Sequence, residues 1–265
     1  PSQVASNMPL WTVEPLLWIS NMITRELLKV VDVNIPAPQY VLLKLDAGKP
    51  MKGLIPGMFY ELRAPSQAGR LFKPISILEV EDHLLSFLIK VIGAGTEAFA
   101  HLKAGDGVEA LGPLGNGFPS INGRRVLLVS GGAGYPPLAW LKREADEAEF
   151  CLHLHGCATA DEVFPCDLLY TVDGSQGHKG LVTDSVESLI SDHKIDLVLS
   201  CGPVPMLAKL TNICIQVEHY VSMEAYMACG IGVCHGCAIP VDSDYKLVCK
   251  DGPVFDATRI RWSEL

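Results

Sequence analysis

No apolar stretch in the sequence reaches the roughly 18 to 20 residues needed to span a bilayer. No block of Lys and Arg is present that could track phosphates or anionic lipid. Lys and Arg number 21 against 30 Asp and Glu, a formal net charge of −9, so neither nucleic acid nor a membrane surface is an expected partner. The opening residues, PSQVASNMPLWTV, lack a basic segment followed by a compact apolar one, so no secretory leader is expected. Repeats and low-complexity tracts are absent, as are a Ser–His–Asp set and a pair of carboxylates spaced for acid–base work. Cysteine, by contrast, is plentiful. There are nine, an odd number, and four crowd into the last 40 residues. Such clustering argues for a metal site in a reducing compartment, and hence the cytoplasm, rather than for a disulfide framework.

With 265 residues, the chain is long enough for two or three small units with their own cores. Residues 1–28 read as an extension, and the apolar spacing from Pro15 to Leu28 partly fits one face of a helix. From Lys29 short runs such as KVVDVNI, YVLLKLDA, MFYELRA, ISILEVE and LLSFLIKVI are broken by Pro, Gly or Asp. Close-set short strands predict a small antiparallel barrel or sandwich over 29–120. A different rhythm begins near Arg124. VLLV, FCLHLHG, LLYTV and LVLSC read as buried strands alternating with helical stretches, among them one opening near Pro136 and TDSVESLISDH. That pattern predicts a parallel sheet covered on both faces over 121–221. A cysteine-bearing unit fills 222–265.

Cys229, Cys234, Cys237 and Cys249 are spaced C-x4-C-x2-C-x11-C, with Gly230, Gly232 and Gly236 between the first three. Four thiolates converge on two irons only if the backbone wraps closely round the inorganic core, and glycine removes the Cβ atoms that would obstruct it. This is the plant-type [2Fe–2S] spacing. Structural zinc is the competing reading, but zinc sites usually pair two short knuckles and only one C-x2-C exists here. Cys249 is expected to arrive on the strand YKLVCKDG, and His235 to face solvent as a plain loop residue. A two-iron cluster passes single electrons, and a flavin converts these to hydride chemistry. In the α/β unit, SGGAGYPP follows a strand and precedes a helix, placing Gly131, Gly132 and Gly134 where a backbone could approach a pyrophosphate. CGPVPM follows a later strand, so Gly202 and Pro203 join that site, and Cys201 is expected beside a nicotinamide. Cys151, Cys157, Cys166 and Cys214 read as small packing residues.

The order of barrel, GG-x-G turn and CGP turn resembles the ferredoxin–NADP reductase superfamily. With the cysteine unit added, the stretch from about residue 29 to 265 is similar to the electron-transfer subunits of NAD-dependent (class 1B) dihydroorotate dehydrogenase. Seven motifs carry the likeness in order: KPIS, GAGT, GPLGNGF, DGSQGHKGLVTD, CGPVPML, CGIGVCHGC and CKDGPVF. The resemblance implies a flavin-binding β-barrel, a parallel α/β nucleotide-binding domain and a small plant-ferredoxin-like [2Fe–2S] domain. It further implies FAD held by Lys73, Pro74, Ile75 and Ser76, where the family's Arg is replaced by Lys73. Leu88, Ile89 and Lys90 match the next flavin-contacting strand, and Gly95 and Thr96 the phosphate-contacting turn.

After FCLHLHG the turn CATADEVF offers Asp161 and Glu162 and no cation for a 2′-phosphate, which favours NAD over NADP. The implied partner is an FMN-containing catalytic subunit that oxidises dihydroorotate in pyrimidine biosynthesis, in a heterotetramer with two of each chain. Electrons then pass through the cluster and FAD to NAD+. No catalytic side chain is expected, since hydride transfer between stacked rings needs positioning rather than proton abstraction. Two alternatives stay open. One is the small subunit of another NAD(P)H-linked complex, such as a ferredoxin–NADP transhydrogenase, sulfide dehydrogenase or hydrogenase. The other is a zinc-bearing regulatory module.

Overall fold

A computed structural model describes residues 23–65 and 71–265. Most of the N-terminal extension, with its helix-like spacing, lies outside the described residues. Its last part differs from expectation. Thr24–Leu28 belong to strand β1 (Thr24–Ala37), which pairs with the hairpin partner β2 (Tyr40–Asp46). The alternation of buried Leu28 and Val30 with exposed Leu27, Lys29 and Val31 suits a half-buried strand, and this period overrides the weak helical one.

The strands that follow are β3 (Phe59–Arg63), β4 (Lys73–Ser76), β5 (Glu79–Glu81) and β6 (Leu84–Lys90). After helix α1 (Ala94–Ala100), β7 (Gly107–Leu114) completes a seven-stranded antiparallel sheet of order β4-β3-β7-β1-β2-β6-β5. The run ISILEVE is thus divided, with a break between Ser76 and Glu79. Val41, Leu43, Leu62, Phe87 and Val108, from four different strands, meet in one buried cluster, so the sheet curls round its own core.

The second sheet is built from β8 (Arg125–Gly131), α2 (Tyr135–Arg143), β9 (Phe150–Cys157), β10 (Leu168–Thr171), β11 (His178–Lys179), α3 (Val186–Asp192), β12 (Leu197–Cys201), α4 (Val204–Ile213) and β13 (Glu218–Ser222). Its strands are parallel. Val126 and Leu128 of β8 pack with Leu138 and Leu141 of α2, while Leu127 and Val129 face Val186 of α3 and Leu210 of α4. Both faces are covered, which is why these strands read as unbroken apolar runs. Among the described residues no helix is long and apolar enough to cross a membrane.

The C-terminal unit holds the hairpin β14 (Ala238–Val241) and β15 (Asp244–Leu247), the single turn α5 (Val248–Asp251) and β16 (Val254–Asp256). Strand β16 returns to the parallel sheet and pairs antiparallel with β13. Asn116 of GPLGNGF clips this segment to the antiparallel sheet. Its amide donates to the carbonyls of Asp251 and Val254 at 3.2 Å each, and its Oδ1 accepts from the Val254 N–H at 3.0 Å.

The parallel sheet buries three histidines. The Ser130 hydroxyl lies 2.8 Å from both His153 Nε2 and His155 Nδ1, and Ser200 lies 2.8 Å from His219 Nε2. Burial pushes their pKa values down to about 3, 4 and 4 in that order. The unfolded chain, titrating near 6.5, binds more protons below that pH than the folded one, so stability falls as pH drops from about 6.5 towards 4. Urea unfolding should show on the order of 1 kcal/mol lost per histidine per pH unit in that window. A triple His→Gln variant (H153Q, H155Q, H219Q) should flatten the slope; an unchanged slope would contradict this account.

Candidate functional site

The cysteine loop runs from Cys229 to Cys237 against the antiparallel sheet. Gly230 (φ 67) shows why glycine stands there: a Cβ at this position would lie 2.9 Å from Glu61 Cγ and 3.1 Å from Leu114 Cδ1. Backbone donors ring the sulfurs. Val233 and Cys234 N–H each donate to Cys229 Sγ at 3.4 Å, Gly232 N–H to Cys249 Sγ at 3.2 Å, and Cys249 N–H to Cys237 Sγ at 3.4 Å. Burial opposes the Cys229 thiolate, yet the N–H groups of Cys234, Ile231 and Val233 together hold its pKa below the usual thiol range. Burial, followed by hydrogen bonding to Cys237, pushes the Cys249 thiol the other way. Cys249 sits on the helical turn α5 and not on a strand as expected, because β15 stops at Leu247, where the chain turns to bring the thiol inward.

Cys234 Sγ accepts from the Gly236 N–H at 3.4 Å, so each of the four sulfurs accepts from the backbone. Among the described residues no three His, Cys, Asp or Glu side chains form a group that could hold a metal ion. Cys229, Cys234, Cys237 and Cys249, with their sulfurs hydrogen-bonded by the backbone, would suit an iron–sulfur cluster, whose charge such N–H groups offset. His235 is exposed, at the rim.

Lys73, Pro74, Ile75 and Ser76 form β4, all half-buried and paired with β3. The Lys73 stem crosses Gly95, where a Cβ would lie 2.6 Å from Lys73 Cε, and its ammonium donates to the Leu71 carbonyl at 2.8 Å. The structure therefore brings Lys73 to the turn that carries Gly95. Thr96 is buried and closes that turn, donating to the Gly93 carbonyl and accepting from Ile92 N–H at 3.0 Å each. Leu88, Ile89 and Lys90 end β6. Ile89 points into the sheet's core, Leu88 faces the α/β unit, and Lys90 reaches Glu162 at 2.8 Å.

The two glycine turns meet. A Cβ on Gly134 would lie 2.3 Å from the Cys201 carbonyl oxygen, one on Gly131 3.0 Å from Pro203 Cδ, and one on Gly202 3.1 Å from Gly131 Cα. Pairing of β8 with β12 sets this approach, placing Ser130 opposite Cys201. The Cys201 side chain itself is buried among apolar neighbours, and burial raises its pKa. It thus offers the turn its backbone rather than a reactive thiol. Glu162 also departs from expectation. It is committed to Lys90 and to the Tyr40 hydroxyl at 3.3 Å, leaving Asp161 as the exposed carboxylate of that turn.

One residue escaped the sequence reading. Glu61 is 1% exposed and neither carboxylate oxygen has a partner. Burial raises its pKa to about 7 against the pull of Lys73. It lies opposite Pro74 across β3–β4 and touches Gly230, between the KPIS strand and the cysteine loop. A charged residue in a strand pattern gives no hint of such a place.

Known proteins match this geometry. The model of the iron–sulfur cluster binding domain of dihydroorotate dehydrogenase B matches residues 224–261. The dihydroorotate dehydrogenase B (NAD(+)) electron transfer subunit of Clostridium acetobutylicum is 41% identical over 211 residues, 76% of this chain and 83% of that one. That of Caldanaerobacter subterraneus is 38% identical over 219 residues, covering 77% and 86%. The chain belongs to this family of electron-transfer subunits. Among solved structures, the NADH-dependent reduced ferredoxin–NADP oxidoreductase superposes with a TM-score of 0.80 at 28% identity over 91% of both chains. A ferredoxin NADP+ reductase from Neisseria gonorrhoeae, 14% identical over 77% of this chain and 93% of that one, shares the fold with a TM-score of 0.58. The chain is therefore an oxidoreductase subunit of the flavin, iron–sulfur and NAD class.

Because Gly134 meets backbone rather than a side chain that could swing away, G134A should cost about 1–3 kcal/mol. It should lower NADH turnover while iron and FAD content stay at wild-type levels. A G134A protein as stable and as active with NADH as wild type would contradict this.

Proposed function

We propose that the chain relays electrons from a dihydroorotate-oxidising partner to NAD+. The partner is taken to be an FMN-containing catalytic subunit, two of each chain forming the complex. Cys229, Cys234, Cys237 and Cys249 would hold a [2Fe–2S] cluster and the antiparallel sheet FAD, within a division into 24–120, 121–221 and 222–265, the first boundary moved back from 29 because β1 begins at Thr24. When bound, these groups supply interchange between one-electron and two-electron chemistry. The observation that carries the reading is the packing of Phe59 and Leu114, from the antiparallel sheet, in one buried cluster with Cys237 and Cys249.

Each residue then has a physical task. Lys73 offers positive charge to a flavin diphosphate over Gly95, but as a point charge without arginine's fork. Pro74, Ile75 and Ser76 would line the flavin site from β4, where successive side chains alternate in direction, with Leu88, Ile89 and Lys90 at the end of β6. Gly131, Gly132, Gly134, Gly202 and Pro203 form a floor on which a nicotinamide nucleotide could lie, with Cys201 supplying backbone beside it. Asp161, exposed and anionic, would repel a 2′-phosphate and favours NAD over NADP. Proton abstraction is not required of any side chain.

Electrons would enter at the exposed edge of the loop. Cys234 is exposed, and Ile231, Val233 and Tyr226 around it are 43%, 72% and 97% exposed. An apolar rim of this kind suits a protein partner. Nine free cysteines support a reducing compartment, which we take to be the cytoplasm. The likeness to the NADH-dependent reduced ferredoxin–NADP oxidoreductase favours one second reading, a relay of the same build serving a different partner.

The purified chain should be brown-yellow, should oxidise NADH with ferricyanide as acceptor, and should leave dihydroorotate untouched until the catalytic subunit is added. A colourless protein without iron or flavin would contradict the proposal. A coloured, NADH-active protein that gains nothing from the catalytic subunit would favour the second reading.

A further inference from the structure

The segment 159–165, between β9 and β10, crosses from the α/β unit to the antiparallel sheet. Thr159 shapes it, its hydroxyl accepting from the Asp161 N–H at 3.2 Å. Phe164 then inserts between two tyrosines, edge-on to Tyr40 at 4.9 Å and tilted against Tyr135 at 5.0 Å. The Tyr135 hydroxyl, at the start of α2, donates to the Pro165 carbonyl at 2.9 Å. Leu88 of the flavin strand joins the same apolar cluster.

Glu162 is the polar centre of this strap. One carboxylate oxygen accepts from Lys90 Nζ at 2.8 Å, and the other accepts from the Tyr40 hydroxyl at 3.3 Å. That second oxygen faces the first nicotinamide glycine turn, where a Cβ on Gly132 would come within 3.9 Å of it. The Glu162 carbonyl lies 3.4 Å from His155 Nε2, so its backbone is tied to the strand that leads into the strap. Lys90 also lies over the Tyr40 ring at 5.5 Å, which leaves the pair little freedom. A half-buried ion pair adds little to stability by itself. Its consequence here is geometric, because it spans the two elements on which the two nucleotides are proposed to lie.

We propose that Glu162 is a positioning residue for hydride transfer, fixing the flavin strand β6 against the Gly131–Gly134 turn. The inference rests on the reading above, in which FAD lies on the antiparallel sheet and NAD on the glycine turns. The step it governs moves two electrons and one proton together from reduced flavin to NAD+, and in reverse from NADH to the flavin, leaving NAD+. Such a transfer needs the two rings in contact, and a displacement of about 1 Å can cost up to 100-fold in rate. Without the Glu162 carboxylate, the strap keeps its aromatic packing but loses its hold on Lys90 and Tyr40.

The test uses the full chain carrying its FAD and cluster, with E162A and the equally long but uncharged E162Q. Rapid mixing with NADH gives the rate of flavin reduction, and the long-wavelength charge-transfer absorbance reports ring stacking. Iron and FAD content should match wild type. At saturating NADH, E162A should reduce its flavin about tenfold or more slowly, with a weaker charge-transfer band and little change in the NADH concentration giving half-maximal rate. E162Q, which keeps one acceptor oxygen, should fall between. Wild-type rates and bands in both variants would overturn the inference, as would loss of FAD from both, which would make Glu162 a flavin-retention residue. Absence of FAD from the wild-type chain would instead remove the reading beneath it.

Discussion

Everything in this molecule depends on one packed seam between the cysteine segment and the antiparallel sheet. A cluster held on a loose loop could not pass electrons to a defined neighbour. Here Gly230 lies against Glu61 and Leu114, and Asn116 holds residues 251–254 by three hydrogen bonds from its side chain. Cys237 and Cys249 are themselves core residues, buried with Phe59, Val221 and Met223. Two of the four proposed ligands thus belong to the hydrophobic core as well. Because β16 also pairs with β13, the segment is fixed to the parallel sheet as well.

A second seam joins the two nucleotide-binding elements, built from Tyr40, Tyr135 and Phe164 with the Lys90–Glu162 pair at its edge. The first seam would set the distance for single electrons and the second the contact for a hydride. Neither needs a titrating side chain, in keeping with the absence of an acid–base pair from the sequence. The orphaned carboxyl of Glu61 stands out in this respect. It is buried between the KPIS strand and the cysteine loop, and neither of its oxygens has a hydrogen-bond partner among the described residues.

The parts legible in the sequence were those written as local patterns. Unbroken apolar runs marked the parallel strands because both faces are covered, and the cysteine spacing marked the proposed cluster loop because three of the four cysteines lie on it. Long-range placement was not legible. Glu162 looked like one of two carboxylates set against a 2′-phosphate, but the strap carries it to Lys90, which lies 72 positions away. Cys249 looked like a strand residue because YKLV alternates well, and only tertiary closure round the sulfurs turns it into a helical turn. Thr24–Leu28 looked weakly helical, yet pairing with β7 makes them a strand. Cys201 was expected beside a nicotinamide, and its side chain is buried in a cluster with Val254 and Leu199.

The central claim is that the cluster and the nicotinamide site communicate only through a flavin held between them. Electron paramagnetic resonance of the purified chain under anaerobic conditions tests it most directly. NADH should produce the signal of a reduced two-iron cluster in the FAD-loaded protein, and no signal after the FAD is stripped, although dithionite should still reduce the cluster. A cluster that NADH reduces without flavin, or a chain that gives no two-iron signal even with dithionite, would contradict the account.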